Sequence, residues 1–124
     1  MTTPAESVVD FTAIRRTFAA MAPSYQNALP FPHMSMNGLF DAEVLRQVAA
    51  EFPSAREMAG SFTGEIEGGK FTESNYEKFG PVTQQFVAAC NSGPFLEAVS
   101  VLTGIEGLLA DPYLSGGGQH QTGR

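Results

Sequence analysis

The residues able to do chemistry are few and far apart. There are two histidines, His33 and His120, and one cysteine, Cys90, in 124 residues. A non-haem iron site needs two histidines and a carboxylate on one face of the metal. The economical form places His and Asp two apart on a strand, so that both side chains point the same way. His33 is followed two positions on by Ser35, and His120 by Thr122, so neither supplies that pair. The helical His-Glu-x-x-His zinc pattern and a Walker-type loop are also absent. Ser115, His120 and Asp111 contain the residue types of a nucleophile–base–acid set, but Ser115 lacks the Gly-x-Ser-x-Gly setting of a hydrolase elbow. "SGGGQH" (115–120) has the glycines of a phosphate loop but neither the following Lys nor the start of a helix, and reads as a glycine-rich bend or bulge entering a strand. Cys90, inside the apolar "FVAACNSG", reads as an inert buried thiol, since reactive thiols need electropositive, exposed surroundings.

The elements that must position these residues follow from local signals. Residues 1–9 read as a flexible leader. Asp10 caps a helix with Phe11, Ile14 and Phe18 on one face, and Pro23 ends it. In "NALPFPHMSMNGLFD" two prolines forbid helix. His33 to Asn37 then alternates, with Met34 and Met36 on one side, which predicts a strand before a turn or bend at Asn37-Gly38. "FDAEVLRQVAAEFP" is the clearest helix. Asp41 is its N-cap, Val44, Leu45, Val48 and Phe52 its apolar face, and Pro53 its stop. Phe62, Gly64 and Ile66 suggest a short strand with a Gly68-Gly69 turn. Pro81 opens a helix with Val82, Phe86, Val87 and Cys90 apolar. Pro94 opens another, with Phe95, Leu96, Val99 and Leu102 inward and Gly104 as the stop.

Composition narrows the classes. At 43% hydrophobic and 16% charged the chain is globular, with ten phenylalanines and no tryptophan for its core. A net charge of −6 with scattered basic residues argues against nucleic acid as a partner. No signal peptide is visible, and no apolar stretch approaches the roughly 20 residues that cross a bilayer, so a cytoplasmic protein without a membrane partner is expected.

Two stretches in order resemble one family. "FPHMSMNGLFDAEVLRQVAAEFP" resembles the opening strand and helix of the bacterial 2-oxoglutarate- and iron(II)-dependent oxygenases related to prolyl 4-hydroxylases. There a Pro-Phe-Pro-His segment leads into a strand, a turn and a helix ending in Phe-Pro. "GPFLEAVSVLTGIEGLLADPYLSGGGQHQTGR" resembles the later part of the same N-terminal region, where a run ending in Gly-Gly-Gly-x-His precedes the barrel. The resemblance spans about residues 28–124 and implies an α+β chain: N-terminal helices and first strands of a double-stranded β-helix, or jelly roll. In that division residues 10–110 are the helix and strand region, and 111–124 begin the barrel core.

The family holds iron through His-x-Asp and a distant His, and 2-oxoglutarate through a later Arg or Lys. None of these maps onto a residue here, and His120 matches the glycine-run histidine, which is not an iron ligand. Tyr113, Gln119, His120 and Gln121 are the candidates for lining the pocket mouth. A jelly roll needs about eight strands of about 5–6 residues, whereas Asp111 to Arg124 supplies 14 residues. The implied reading is therefore a barrel cut short and a chain inactive on its own. The complete enzyme would hydroxylate a C–H bond of a small-molecule or peptide substrate. The apolar faces of the 42–52 and 94–103 helices should then be partly uncovered and favour self-association. The alternative is a small acidic α+β interaction module without catalysis.

Overall fold

The computed structural model describes residues 8–53, 60–62, 70–73, 75–114 and 117–122. Among them are four α-helices and three short strands: α1 (Phe11–Gln26), α2 (Ala42–Ala50), β1 (Gly60–Phe62), β2 (Lys70–Glu73), α3 (Pro81–Cys90), α4 (Gly93–Thr103) and β3 (Gln119–Thr122). A 3₁₀ turn, Tyr76–Lys78, precedes α3.

α1 starts where predicted, with the Asp10 carboxylate accepting the Ala13 N–H at 3.0 Å. Its face buries Ile14 and Phe18. Pro23 does not end it; the helix runs through Pro23 to Gln26. The proline removes one donor, that for the Ala19 carbonyl, and Ala19 lies on the exposed side where water can replace the bond. The final turn is fastened from both ends. Asn27 donates to the Pro23 carbonyl through its backbone N–H (3.1 Å) and its side chain (2.8 Å). Gln26 Nε2 donates to the Leu102 carbonyl of α4 at 3.1 Å.

α1 and α4 form the centre of the molecule and run in the same direction. Their N-terminal ends meet around Asp10 and Pro94, and their C-terminal ends at Gln26 and Leu102. Ile14, Phe18, Ala98 and Leu102 share the buried cluster, with Phe18 and Phe95 edge to face at 6.4 Å. Val9 is buried in this cluster and Val8 packs on it, so the last two residues assigned to the leader belong to the core. The inward face of α4 buries Ala98 and Leu102, while Phe95, Leu96 and Val99 stay half-buried, so that face is only partly covered. Gly104, at φ +75°, ends α4 in the left-handed region as predicted, its N–H donating to the Ser100 carbonyl at 2.8 Å. α3 meets α4 at a bend of 48°, and the fully buried Ala89 leaves room for that approach.

His33–Asn37 forms no strand. Its alternation is real, with Met34 and Met36 packed on the core and His33, Ser35 and Asn37 exposed. A two-sided extended segment produces that pattern by lying on a core, without any ladder partner. The turn at Gly38 is present, with φ +77°. α2 begins at its Asp41 cap, which accepts from the N–H groups of Glu43 (2.7 Å) and Val44 (3.3 Å), and it ends before Pro53.

The three strands make one antiparallel sheet in the order β1-β2-β3. β2 was not anticipated. It pairs Phe62 with Lys70 on one side and Glu73 with Gln119 on the other. The strand suggested around Phe62 is found as β1, which lies slightly earlier; Gly64, Ile66 and the Gly68-Gly69 turn fall outside the described residues.

Candidate functional site

The glycine-rich segment is anchored at its start by the side chain of Asn91, the C-cap of α3. Asn91 Nδ2 donates to the Asp111 carbonyl at 2.8 Å, and Asn91 Oδ1 accepts the Asp111 N–H at 3.2 Å. The amide thus pairs with a backbone unit as a neighbouring strand would. The Asp111 carboxylate then accepts the Tyr113 N–H at 2.9 Å, turning the chain. Leu114 adopts φ +50°, and its carbonyl accepts the Gly117 N–H at 2.9 Å. Asp111 is therefore a turn residue. The imagined triad with His120 gains no support from it, and Ser115 lies outside the described residues.

This anchored turn forms one wall of a cleft of about 270 Å³. Val87 and Ala88 of α3, with its C-cap Asn91, line another wall, and Tyr76 closes an end. Pro112 and Leu114 face the cleft, whereas Tyr113 between them is 84% exposed and does not line it. Beyond the glycines the strand alternates: His120 is exposed and Gln119 is only 8% exposed. For Gln121 only the backbone pairing, with Phe71, is described. Among the described side chains, Tyr113, Gln119 and His120 are not part of this cleft's lining.

Gln119 sits directly across from Glu73 in the β2–β3 register, and both are buried. The Glu73 carboxylate accepts the Asn75 N–H at 3.2 Å. Both polar atoms of the Gln119 amide are buried without a hydrogen bond. An amide left so costs about 1–3 kcal/mol, which makes Gln119 an unsatisfied polar group among the described residues of the sheet.

Glu51 was missed by sequence reasoning. At the end of α2 its carboxylate accepts three hydrogen bonds from the first turn of α3. Thr83 N–H and Thr83 Oγ1 each reach Oε1 at 2.8 Å, and Val82 N–H reaches Oε2 at 3.1 Å. Burial pushes the Glu51 pKa up, but the Thr83 and Val82 bonds outweigh it and the net shift is downward. The N-cap of α3 is Gly80, which has no side chain to offer, so Glu51 caps this helix from 32 residues away. A side chain at Gly80 would collide with it, since an added Cβ would lie 2.7 Å from Glu51 Cβ. The one sequence signal was negative: a helix opening on Gly-Pro needs its acceptor from elsewhere.

Cys90 is half-buried, and burial pushes its pKa up to about 11, leaving it a protonated thiol at neutral pH. His33 is exposed; its ring N–H at Nδ1 donates to the Phe31 carbonyl at 2.8 Å. Among the described residues no three His, Cys, Asp or Glu side chains come close enough to hold a metal ion. No single helix among them is long and apolar enough to cross a membrane. Comparison with protein-family models, with characterised proteins and with solved structures finds no match for this chain.

Proposed function

We propose that these residues are the N-terminal portion of a 2-oxoglutarate- and iron(II)-dependent dioxygenase of the prolyl-hydroxylase-like kind. In the complete enzyme, decarboxylation of 2-oxoglutarate accompanies hydroxylation of a substrate C–H bond. The observation that carries the reading is the ordered pair of stretches, "FPHMSMNGLFDAEVLRQVAAEFP" and "GPFLEAVSVLTGIEGLLADPYLSGGGQH", at the spacing the family uses. The architecture is compatible with it: two helices open the described chain, two more follow β2, and the glycine run leads into a strand of an antiparallel sheet, as the opening of a jelly roll would. In this reading the iron ligands and the 2-oxoglutarate-binding cation lie in sequence following Arg124, and α1 to α4 buttress the barrel.

The test is to express the reading frame that carries these residues together with whatever it encodes next, and to follow succinate formation from 2-oxoglutarate with iron(II) and oxygen. The reading expects turnover that is abolished by changing the His of a downstream His-x-Asp. A frame that closes at the Arg124 codon overturns it.

A second reading, a small acidic interaction module, is favoured by one feature. Leu29 (86% exposed) and Leu109 (88%) are large apolar residues facing solvent, the kind of surface a partner covers.

A further inference from the structure

α2 is attached to the rest of the chain in an unusual way. None of its residues is buried. Val44 and Val48 are half-buried, while Leu45 and Phe52, on the adjoining arc of the same apolar face, are 41% and 42% exposed. At its front end, just before the Asp41 cap, Phe40 is held between rings. Phe86 is edge to face at 5.0 Å and Phe95 is stacked at 6.4 Å. At its back end Glu51 holds the first turn of α3 through the three bonds given above. Gly38, in the left-handed region with open space around it, lies just ahead of the aromatic attachment. By contrast, α1 buries Ile14 and Phe18, and α4 buries Ala98 and Leu102, in one shared cluster.

We propose that α2 is a strap fastened at Phe40 and at Glu51, and that it opens as a unit when the Glu51 contact breaks, turning about the Gly38–Asp41 segment. Opening removes Glu51 from the first turn of α3. In the closed form Thr83 is 2% exposed and Val82 is half-buried, and opening presents their N–H groups and the Thr83 hydroxyl to solvent. The small apolar area that α2 buries sets the opening free energy below that of global unfolding, because local openings are easiest where few apolar contacts hold an element. The inference does not depend on the oxygenase reading.

Arg46 makes the strap directly measurable. It lies in the middle of α2, and Arg15 and Arg16 lie inside α1 as internal controls. Once detached, a helix of nine residues loses the packing that keeps it folded and frays in water. Trypsin needs a locally unfolded segment, so cleavage after Arg46 reports opening of α2 and cleavage after Arg15 or Arg16 reports loss of the core. In the 124-residue chain, Glu51→Ala should speed cleavage after Arg46 about five- to tenfold, and Thr83→Val, which keeps the packing and removes only the hydroxyl, about two- to threefold. Neither should change cleavage at Arg15 or Arg16. In the unmodified chain, the amides of Leu45–Ala50 should exchange with deuterium at least tenfold faster, relative to their intrinsic rates, than those of Ile14–Phe18. Equal acceleration at both trypsin sites, or a Glu51→Ala chain that does not fold, would show that the contact supports the whole molecule. Unchanged Arg46 cleavage in both variants would show that Glu51 is not the fastening. Either result overturns the strap, as does equal protection of the two helices.

Discussion

Replacing Asn91 is the sharpest test of how the glycine-rich segment is held. In Asn91→Ala two hydrogen bonds vanish, one donated to the Asp111 carbonyl at 2.8 Å and one accepted from its N–H at 3.2 Å. Each contributes about 0.5–1.5 kcal/mol net, and the part-buried backbone groups left behind raise the cost. The expected loss is therefore about 2 kcal/mol. Domains of this size shift by roughly 3–5 °C per kcal/mol, so the melting temperature should fall by roughly 6–10 °C. Asn91→Asp separates bonding from bulk. It keeps an acceptor for the Asp111 N–H but sets a carboxylate oxygen against the Asp111 carbonyl, where the amide had donated. The variant should be at least as destabilised as Asn91→Ala at neutral pH, despite its nearly identical shape. Circular-dichroism melts give the stabilities, and hydrogen exchange at Tyr113, Leu114 and Gly117 shows whether the turn itself loosens. An Asn91→Asp protein melting within about 1 °C of the parent would refute the clamp. So would an unchanged exchange pattern at the turn in Asn91→Ala.

Other outcomes follow from the same structure. Glu51 has a folded pKa below its ordinary 4.5, so its contribution is fully present above that value and is lost as pH falls through the lowered one. Glu51→Gln should be less stable than the parent by about 1 kcal/mol at pH 7, and denaturant titrations from pH 7 to pH 3 should show the gap closing below pH 4.5. With its pKa raised to about 11, Cys90 should react with iodoacetamide at pH 7.5 far more slowly than the same thiol in denaturant, and a scan to pH 10.5 should show the rate still rising. Gly104→Ala places a Cβ at φ +75° and 3.3 Å from Gln26 Nε2, so it should cost about 1–2 kcal/mol by chemical denaturation and weaken the Gln26–Leu102 bond.

What could be read from sequence was whatever acts within one helical turn. Asp10 and Asp41 cap their helices because a carboxylate there reaches the N–H groups two or three residues on. Pro81 and Pro94 open helices because the missing N–H has no intrahelical partner at that position. Gly104 closes one because only glycine adopts the left-handed region freely. What failed depends on residues distant in the chain. Pro23 should have ended α1, but its last turn is held by Asn27 and by α4. β2, "KFTE", carries a charge at each end and shows no strand signature until its neighbours pair with it. The buried residues of α3 are Thr83 and Ala89, not the larger apolar ones the periodicity selected. Glu51 finds its partners 31 and 32 residues away, and Asn91 finds its own 20 away. Within the candidate site, the bend at Gly118 that enters β3 was legible from the glycine run. Which of its flanking residues face the cleft was not, because that choice is made by Asn91 from another element.

In the proposed oxygenase these residues are scaffold, with the redox chemistry supplied elsewhere. An anaerobic calorimetric titration of the 124-residue chain with iron(II), with and without 2-oxoglutarate, addresses that most directly. The account predicts no saturable heat from either ligand at micromolar protein. One equivalent of iron(II) bound tightly, and more tightly with 2-oxoglutarate present, would contradict it.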